Sequence, residues 1–558
     1  MINSRDDGFS FRSRKNSFNF FSEREFDFLI VGGGITGAAV ARDAALRGYS
    51  VALVEKNDFA SGTSSSSSKL VHGGLRYLEN MEFSLVFEAL KERAHLLNTI
   101  PNLVKPMKFL FPVYEGDAHG RTILSMGLWL YDLLSAFRAP GYHKRLSKKQ
   151  ILKTEPHLSQ VGLKGGFTYY DASMWDDVIV IETLRSARRA GAETVNYSEA
   201  LEPIEKNDKV VGFVVSDGEK KVNVLAKSIV SCVGPWTDIL GQTISKTWTK
   251  RLEPSKGIHL VFDLKKLPVE STVVMSHPED GRIVFVMPRP DLGAGVVIVG
   301  TTDSPVGSDP ENAKIDRDEI EYLLALLDRY FLELEIKKSD IISAYVGVRP
   351  LFSDQSAEGS LQKVSREHHI EVGPGGVILV MGGKYTTHQK MAKEIVEFSV
   401  KNNPDLPRHR SSSEINYRFL NPAMAGRNIA AAKRHAEEKQ YQIPESLWNH
   451  YGAEALNIYI LFDSQLRHGS GTALADPEGF PLIEEQLRFQ IRNGMVMHLD
   501  DFFFRRTPLY LARKDHGVPW ASRLNEVLAE ERGFSAEEAS RELTRFYSIL
   551  ESKASFLE

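Results

Sequence analysis

Residues 26–55 restrict this chain more than any other stretch: an apolar strand FDFLIV, the turn VGGGITG, a helix over 35–47, and a second strand YSVALVE ending in Glu55. Gly32, Gly34 and Gly37 fill the three glycine places of a dinucleotide-binding turn. Gly32 permits the tight turn, Gly34 lets the backbone approach a pyrophosphate, and Gly37 lets the helix pack closely on the strand. The free N–H groups at the helix start then face the pyrophosphate. Glu55 is placed to accept hydrogen bonds from ribose hydroxyls. Its charge repels a 2′-phosphate, which disfavours NADP against NAD or FAD.

With 558 residues the chain has material for two to four domains. A net charge of −4 is close to neutral for this size and argues for neither nucleic acid nor an acidic partner. The single cysteine, Cys232, excludes an internal disulfide and fits a reducing compartment. Residues 1–24 mix both charge signs with serine and scattered phenylalanine, and read as a disordered tail. They lack the apolar run of a signal peptide, and Asp6, Asp7 and Glu23 argue against a mitochondrial transit peptide. The alternative for this tail is a membrane-touching segment using Phe18, Phe20 and Phe21 with Arg12, Arg14 and Lys15. No segment reaches the ~20 apolar residues of a membrane span. The nearest, Ile123 to Phe137, is too short and carries Asp132; it reads as a buried helix, with an interfacial membrane helix as the alternative.

Between Asp177 and Val233 a helical stretch, two alternating strands and KSIVSCVGPWTD read as the return of the chain to the nucleotide domain, with Gly234 closing near the cofactor. From about Arg251, GIHLVFDL, RIVFVMPRP and GVVIVGTTD alternate between turn residues, as expected of an antiparallel substrate domain. GVILVMGGKYTTHQK then offers a second helix start, near Lys384, whose positive end suits developing negative charge. Past RHRSSSE the composition turns helical to the end of the chain, and no metal-spaced Cys/His set occurs.

The run SSSSSKLVHGGLRYLE makes a poor helix and a poor strand. It reads as a loop wrapped on a polar ligand, with Thr63, Ser64, Ser65, Ser68, Lys69 and His72 near the cofactor and Gly73 and Gly74 passing close to a flat ring. Arg76, Arg349 and Arg366, with Lys384 and His259, are the basic residues in the least ordinary surroundings. Together they would supply forked donors for a phosphate or carboxylate and one group able to titrate near neutrality.

The segments VGGGITGAAVARDAALRGYSVALVEKNDFASGTSSSSSKLVHGGLRYLE, SCVGPWTD, PSKGIHLVF, VGVRPL and VMGGKYTT together resemble the FAD-dependent (aerobic, quinone-linked) glycerol-3-phosphate dehydrogenases, and LDDFFFRRTPL resembles that family's C-terminal domain. The resemblance implies an α/β fold: a glutathione-reductase-like FAD-binding Rossmann domain, an antiparallel β substrate domain and an all-helical C-terminal domain. The expected division is an oxidoreductase region over about 25–407, with its substrate part at about 75–170 and 250–370, and a helical domain over about 408–558. Arg76, Tyr77, His259, Arg349, Arg366 and Lys384 match positions lining the family's substrate pocket, and Gly382, Gly383 and Thr386 match positions beside the flavin. The family often has Leu where this chain has Tyr385, and Tyr-Arg where it has His388 and Gln389.

The activity so implied is oxidation of sn-glycerol 3-phosphate to dihydroxyacetone phosphate, with hydride passing from C2 to flavin N5. His259 is the expected base, with Arg349 and Lys384 as the other catalytic groups. Electrons would pass to a membrane quinone from a cytoplasmic enzyme peripheral on the inner face of the cell membrane, with a homodimer possible and no nucleic acid partner. The alternatives are an oxidase using oxygen, an FAD-dependent amino-acid or amine oxidase, and a non-catalytic flavin-binding protein.

Overall fold

A computed structural model of the chain describes residues 8–78, 81–117, 121–135, 138–278, 280–307, 309–353, 368–417, 421–466 and 480–557. Its first sheet runs, in spatial order, 368–372, 378–382, 221–231, 26–31, 51–54 and 193–195. The inner pairings are parallel, with Phe28 beside both Val51 and Ser228. Every residue of Phe26–Val31 and Val51–Val54 is buried, which explains their continuous apolar sequences: helices cover both faces of such a sheet. A hairpin, 199–206 with 209–216, extends the long strand Lys221–Ser231 beyond the sheet.

The second sheet joins two distant stretches of sequence. Strands 70–71, 104–114, 144–146 and 163–174 combine with 255–263, 272–276, 283–289, 296–300, 304–305 and 341–349. Its pairings are antiparallel except where Val273 of 272–276 lies parallel to Leu110. The pairing of 255–263 with both 296–300 and 341–349 buries all of Ser255–Phe262. From residue 421 on, the described residues contain helices and no strand.

Helix α1 is Phe11–Phe20, α2 is Ile35–Arg47, α3 is Phe83–Thr99 and α4 is Arg121–Leu134. Two expectations change. The tail expected to be disordered contains α1, capped by Ser10, with Phe9, Phe18 and Phe21 at most 1% exposed. Arg14 donates to the carbonyls of Asn196 and Tyr197, 2.8 Å each, and to Ser198 Oγ. The phenylalanines, scattered in sequence, fill gaps beside the first sheet, so apolar burial and one satisfied arginine order a polar segment.

Helix α4 is not a buried helix. Leu128 and Tyr131 face inward at 1% and 2% exposure, while Ile123, Met126, Trp129 and Leu133 are 61–70% exposed. Apolar residues surround the helix, but only one stripe finds a partner within the chain.

The helical C-terminal region is tied to the first sheet through Asp58, which follows the second strand. Arg506 binds both its carboxylate oxygens, at 2.9 and 3.0 Å, and Arg505 Nε reaches it at 2.6 Å. Burial works to raise the Asp58 pKa, but the two guanidiniums outweigh it and hold the group at about 2. A carboxyl depressed in the folded state contributes stability above its unfolded pKa of ~3.9, lost as pH falls towards 2. Asp58→Asn, which leaves two buried arginines without their shared counter-charge, should cost about 3–5 kcal/mol in urea unfolding at neutral pH. The difference from wild type should shrink below pH 4.

Candidate active site

A cleft of about 270 Å³ opens where the parallel strands of the first sheet end. It is lined by Gly32 after the first strand, Glu55 after the second, Gly234 after Lys221–Ser231 and Gly382 to Tyr385 after Ile378–Gly382. This is the carboxyl edge at which doubly wound sheets bind ligands.

The glycine turn is built for close approach. A Cβ on Gly37 would lie 2.0 Å from the Gly32 carbonyl oxygen, so α2 packs on the turn as only glycine permits. Gly32 has φ +109° and no room for a side chain against the Cys232 carbonyl. Glu55 is held in place by backbone donors, Gly33 N–H at 2.6 Å and Asn57 N–H at 2.9 Å, and its burial raises its pKa.

The serine loop closes one side of the cleft with Thr63, Ser64 and Ser67. Ser64 Oγ accepts the Ile35 N–H at 3.0 Å, which joins the loop to the start of α2. Asp176, fully buried at the start of the helix Asp176–Arg189, does most to shape the loop. It accepts from Ser67 Oγ at 2.6 Å and forms a buried ion pair with Lys69. The Asp176 carbonyl accepts from Tyr385, whose side chain lines the cleft, and the Ser67 carbonyl accepts from Tyr345 at 2.9 Å. Lys69 itself sits at φ +54°, the left-handed conformation that turns the chain out of the loop.

On the second sheet, His259 is 3% exposed, its Nε2 2.9 Å from Ser68 Oγ and its ring stacked on Tyr345 at 4.7 Å and 11°. This follows from register, since His259 lies opposite Tyr345. Burial first, then the positive charges of Arg349 and Lys69, pushes its pKa down to about 3. The expectation of an imidazole titrating near neutrality is therefore corrected: the ring is neutral across the physiological range. Arg349 is fixed by Asp303 and Thr301 Oγ1, each at 3.1 Å, and by the carbonyls of Lys256 and Thr302.

Of the expected cofactor residues, Gly32, Gly34, Glu55, Thr63, Ser64, Gly234, Gly382 and Gly383 line the cleft, together with Lys384. Gly37 stands behind it, and Thr386 is buried in the turn Tyr385–Thr387. Ser65 and Lys69 line a separate cavity of about 90 Å³ shared with Arg505 and Tyr510, and Ser68 turns to His259. His72, Gly73 and Gly74 do not line the cleft; the Gly73 N–H points to Tyr131 and Asp171 instead. Arg76 and Tyr77 stand on the short helical turn Leu75–Leu78, their side chains outside the described residues, as is Arg366. Asp176, Asp303 and Tyr345 are not among the residues the sequence singles out, whereas Ser67 falls in the Thr63 to Ser68 run expected to bind the cofactor. Of those three, only Asp176 carried a signal, as an acid at the start of a helix.

Residues 27–389 match the family described as FAD dependent oxidoreductase, and residues 421–539 match the C-terminal domain of alpha-glycerophosphate oxidase. The aerobic glycerol-3-phosphate dehydrogenase of Bacillus subtilis is 35% identical over 89% of this chain and 90% of its own. That of Staphylococcus saprophyticus is 32% identical over 92% of each. The crystal structure of the Bacillus halodurans glycerol-3-phosphate dehydrogenase complexed with FAD superposes with a TM-score of 0.77 at 28% identity, covering 97% of this chain and 98% of its own. Fold and cleft thus define a flavin-dependent oxidoreductase. The chain belongs to the FAD-dependent glycerol-3-phosphate dehydrogenase family.

If Asp176 holds the serine loop, Asp176→Asn should weaken FAD binding at least about tenfold, the effect of losing one charge-assisted hydrogen bond. Titration of the apoprotein with FAD, followed by flavin fluorescence, measures it.

Proposed function

We propose that this chain oxidises sn-glycerol 3-phosphate to dihydroxyacetone phosphate and passes the electrons to a membrane quinone. When bound, FAD supplies the ring that accepts the hydride. The observation that carries the reading is the bond of His259 to Ser68 of the serine loop, with the Arg349 charge near enough to lower the His259 pKa, beside the cleft that Thr63, Ser64 and Ser67 of that loop line. Gly32, Gly34, Glu55, Thr63, Ser64, Gly234, Gly382 and Gly383 would hold the cofactor, and Gly37 keeps α2 close behind the turn.

Arg349 supplies the positive charge that suits a phosphate dianion, and its anchoring by Asp303, Thr301 and two carbonyls fixes the plane of its guanidinium. Arg76, Tyr77 and Arg366 complete the proposed substrate contacts. His259 takes the proton from the C2 hydroxyl. With its own proton on Nε2, donated to Ser68 Oγ, it keeps a lone pair on Nδ1, which has no partner among the described residues. Burial and then the two cations depress its pKa; a bound dianion offsets the cations, so its basicity rises with substrate in place. Lys384, lining the cleft at the N-cap of the turn Tyr385–Thr387, steadies the negative charge on the substrate oxygen.

The exposed face of α4 supports the membrane acceptor. No helix of the described residues is long and apolar enough to cross a membrane. Ile123, Met126, Trp129 and Leu133 nevertheless form one apolar stripe, with exposed Arg138, Lys144, Arg145, Lys148 and Lys149 in the segment that follows. That segment packs against α4 through His143, edge-to-face with Trp129 at 5.0 Å and 2.7 Å from Asp132. An apolar stripe with basic neighbours suits the inner face of an anionic membrane, where the quinone resides.

Arg349→Ala should lose about 2–5 kcal/mol in kcat/KM for glycerol 3-phosphate, and retention of the wild-type value refutes the phosphate anchor. His259→Asn should lower kcat about 10²–10⁴-fold with soluble quinone as acceptor, and near-normal turnover sinks the base assignment. Met126→Glu with Trp129→Glu should abolish cosedimentation with anionic vesicles and leave soluble-quinone turnover intact; undiminished cosedimentation would rule out α4 as the contact.

A further inference from the structure

We propose that Asp171, Tyr131 and Arg93 are positioning residues for substrate binding, a buried lock on the turn that leads into the helical turn bearing Arg76 and Tyr77. The inference rests on the reading of Arg76 and Tyr77 as substrate contacts. The three residues come from separate elements: Arg93 from α3, Tyr131 from α4 and Asp171 from the strand Leu163–Met174. They are 0%, 2% and 2% exposed.

Their bonds converge on one backbone group. The Tyr131 hydroxyl lies 2.7 and 2.8 Å from the two Asp171 carboxylate oxygens, to which it donates. The Gly73 N–H is directed at both the Tyr131 hydroxyl, 2.9 Å, and Asp171 Oδ1, 3.2 Å. Arg93 donates to the same Asp171 oxygen and to the Tyr170 carbonyl, 2.9 Å, which neutralises the carboxylate and fixes its plane. Space closes the remaining freedom. A Cβ on Gly73 would lie 2.4 Å from the Tyr131 hydroxyl and 2.5 Å from Leu90 Cδ2. Gly74 follows at φ +74°, and the helical turn Leu75–Leu78 begins at the next residue.

Burying a charged pair here is costlier than packing apolar residues of the same size. What the polar set adds is direction: one N–H of one turn is held at two acceptors. A turn held in place presents the substrate-contacting residues already ordered, and such preorganisation raises affinity. None of Arg93, Tyr131 and Asp171 lines the cleft, so the lock can be broken without touching the cofactor residues.

The test uses full-length protein loaded with FAD. Tyr131→Phe keeps the ring and removes the hydroxyl. It should raise the KM for glycerol 3-phosphate about tenfold while kcat changes less than about twofold and FAD content stays at the wild-type level. Asp171→Asn should move KM the same way, and it decides the question if Tyr131→Phe does not fold. An unchanged KM, or parallel losses of kcat and FAD content with no rise in KM, would overturn the lock. A wild type that does not turn over glycerol 3-phosphate would instead overturn the functional reading, and the lock with it.

Discussion

Lys69 and Asp176 meet as a buried ion pair, 5% and 0% exposed, at the point where the serine loop passes the first turn of Asp176–Arg189. Removing two charges from water costs several kcal/mol per ion, and such a pair persists only where further hydrogen bonds complete both groups. Here they do. Asp176 also accepts from Ser67, and Lys69 also donates to the Ser65 carbonyl, so both partners are satisfied by the loop itself. Five consecutive serines have no apolar side chain with which to choose a conformation. The ion pair makes that choice; Tyr345, on the strand Ile341–Arg349, then donates to the loop at the Ser67 carbonyl, and Tyr385, in the turn after Ile378–Gly382, donates to the carbonyl of Asp176.

From this junction the rest of the site follows. The cleft lies at the carboxyl edge of the parallel strands because each strand there ends in glycine or in a residue held by backbone donors. The second sheet brings His259 against Ser68 because two distant stretches of chain share one sheet, with Ser255–Asp263 at the centre of three antiparallel pairings. The helical C-terminal region joins at Asp58, three residues past Glu55, so the same loop that ends at the cofactor cleft also receives Arg505 and Arg506.

Much of this was readable in the residues. The glycine spacing is visible in sequence because it answers a steric need between neighbours in the chain, Gly37 against Gly32. The segment LDDFFFRRTPL also stood out, and its paired arginines anchor its domain. Other features depend on contacts that no local pattern reports. Asp303 meets Arg349 only through strand pairing, and the depressed pKa of His259 arises first from its burial between the strands and then from Arg349 and Lys69 brought near it by the fold. Phe9, Phe18 and Phe21 follow no strong period, yet they are buried. Conversely, α4 was apolar enough for a core and shows a face the chain does not cover. Adjacent glycines such as Gly73 and Gly74 suggest passage beside a flat ring; the Gly73 N–H is held by Tyr131 and Asp171, partners that no local pattern reports.

The most direct test of the account is anaerobic mixing of the FAD-loaded protein with glycerol 3-phosphate while following the visible flavin band, with glycerol and D-alanine as controls. The account predicts bleaching by glycerol 3-phosphate alone, and recovery of colour when a soluble quinone is added. Bleaching by D-alanine, or a flavin that stays oxidised with glycerol 3-phosphate, would contradict it.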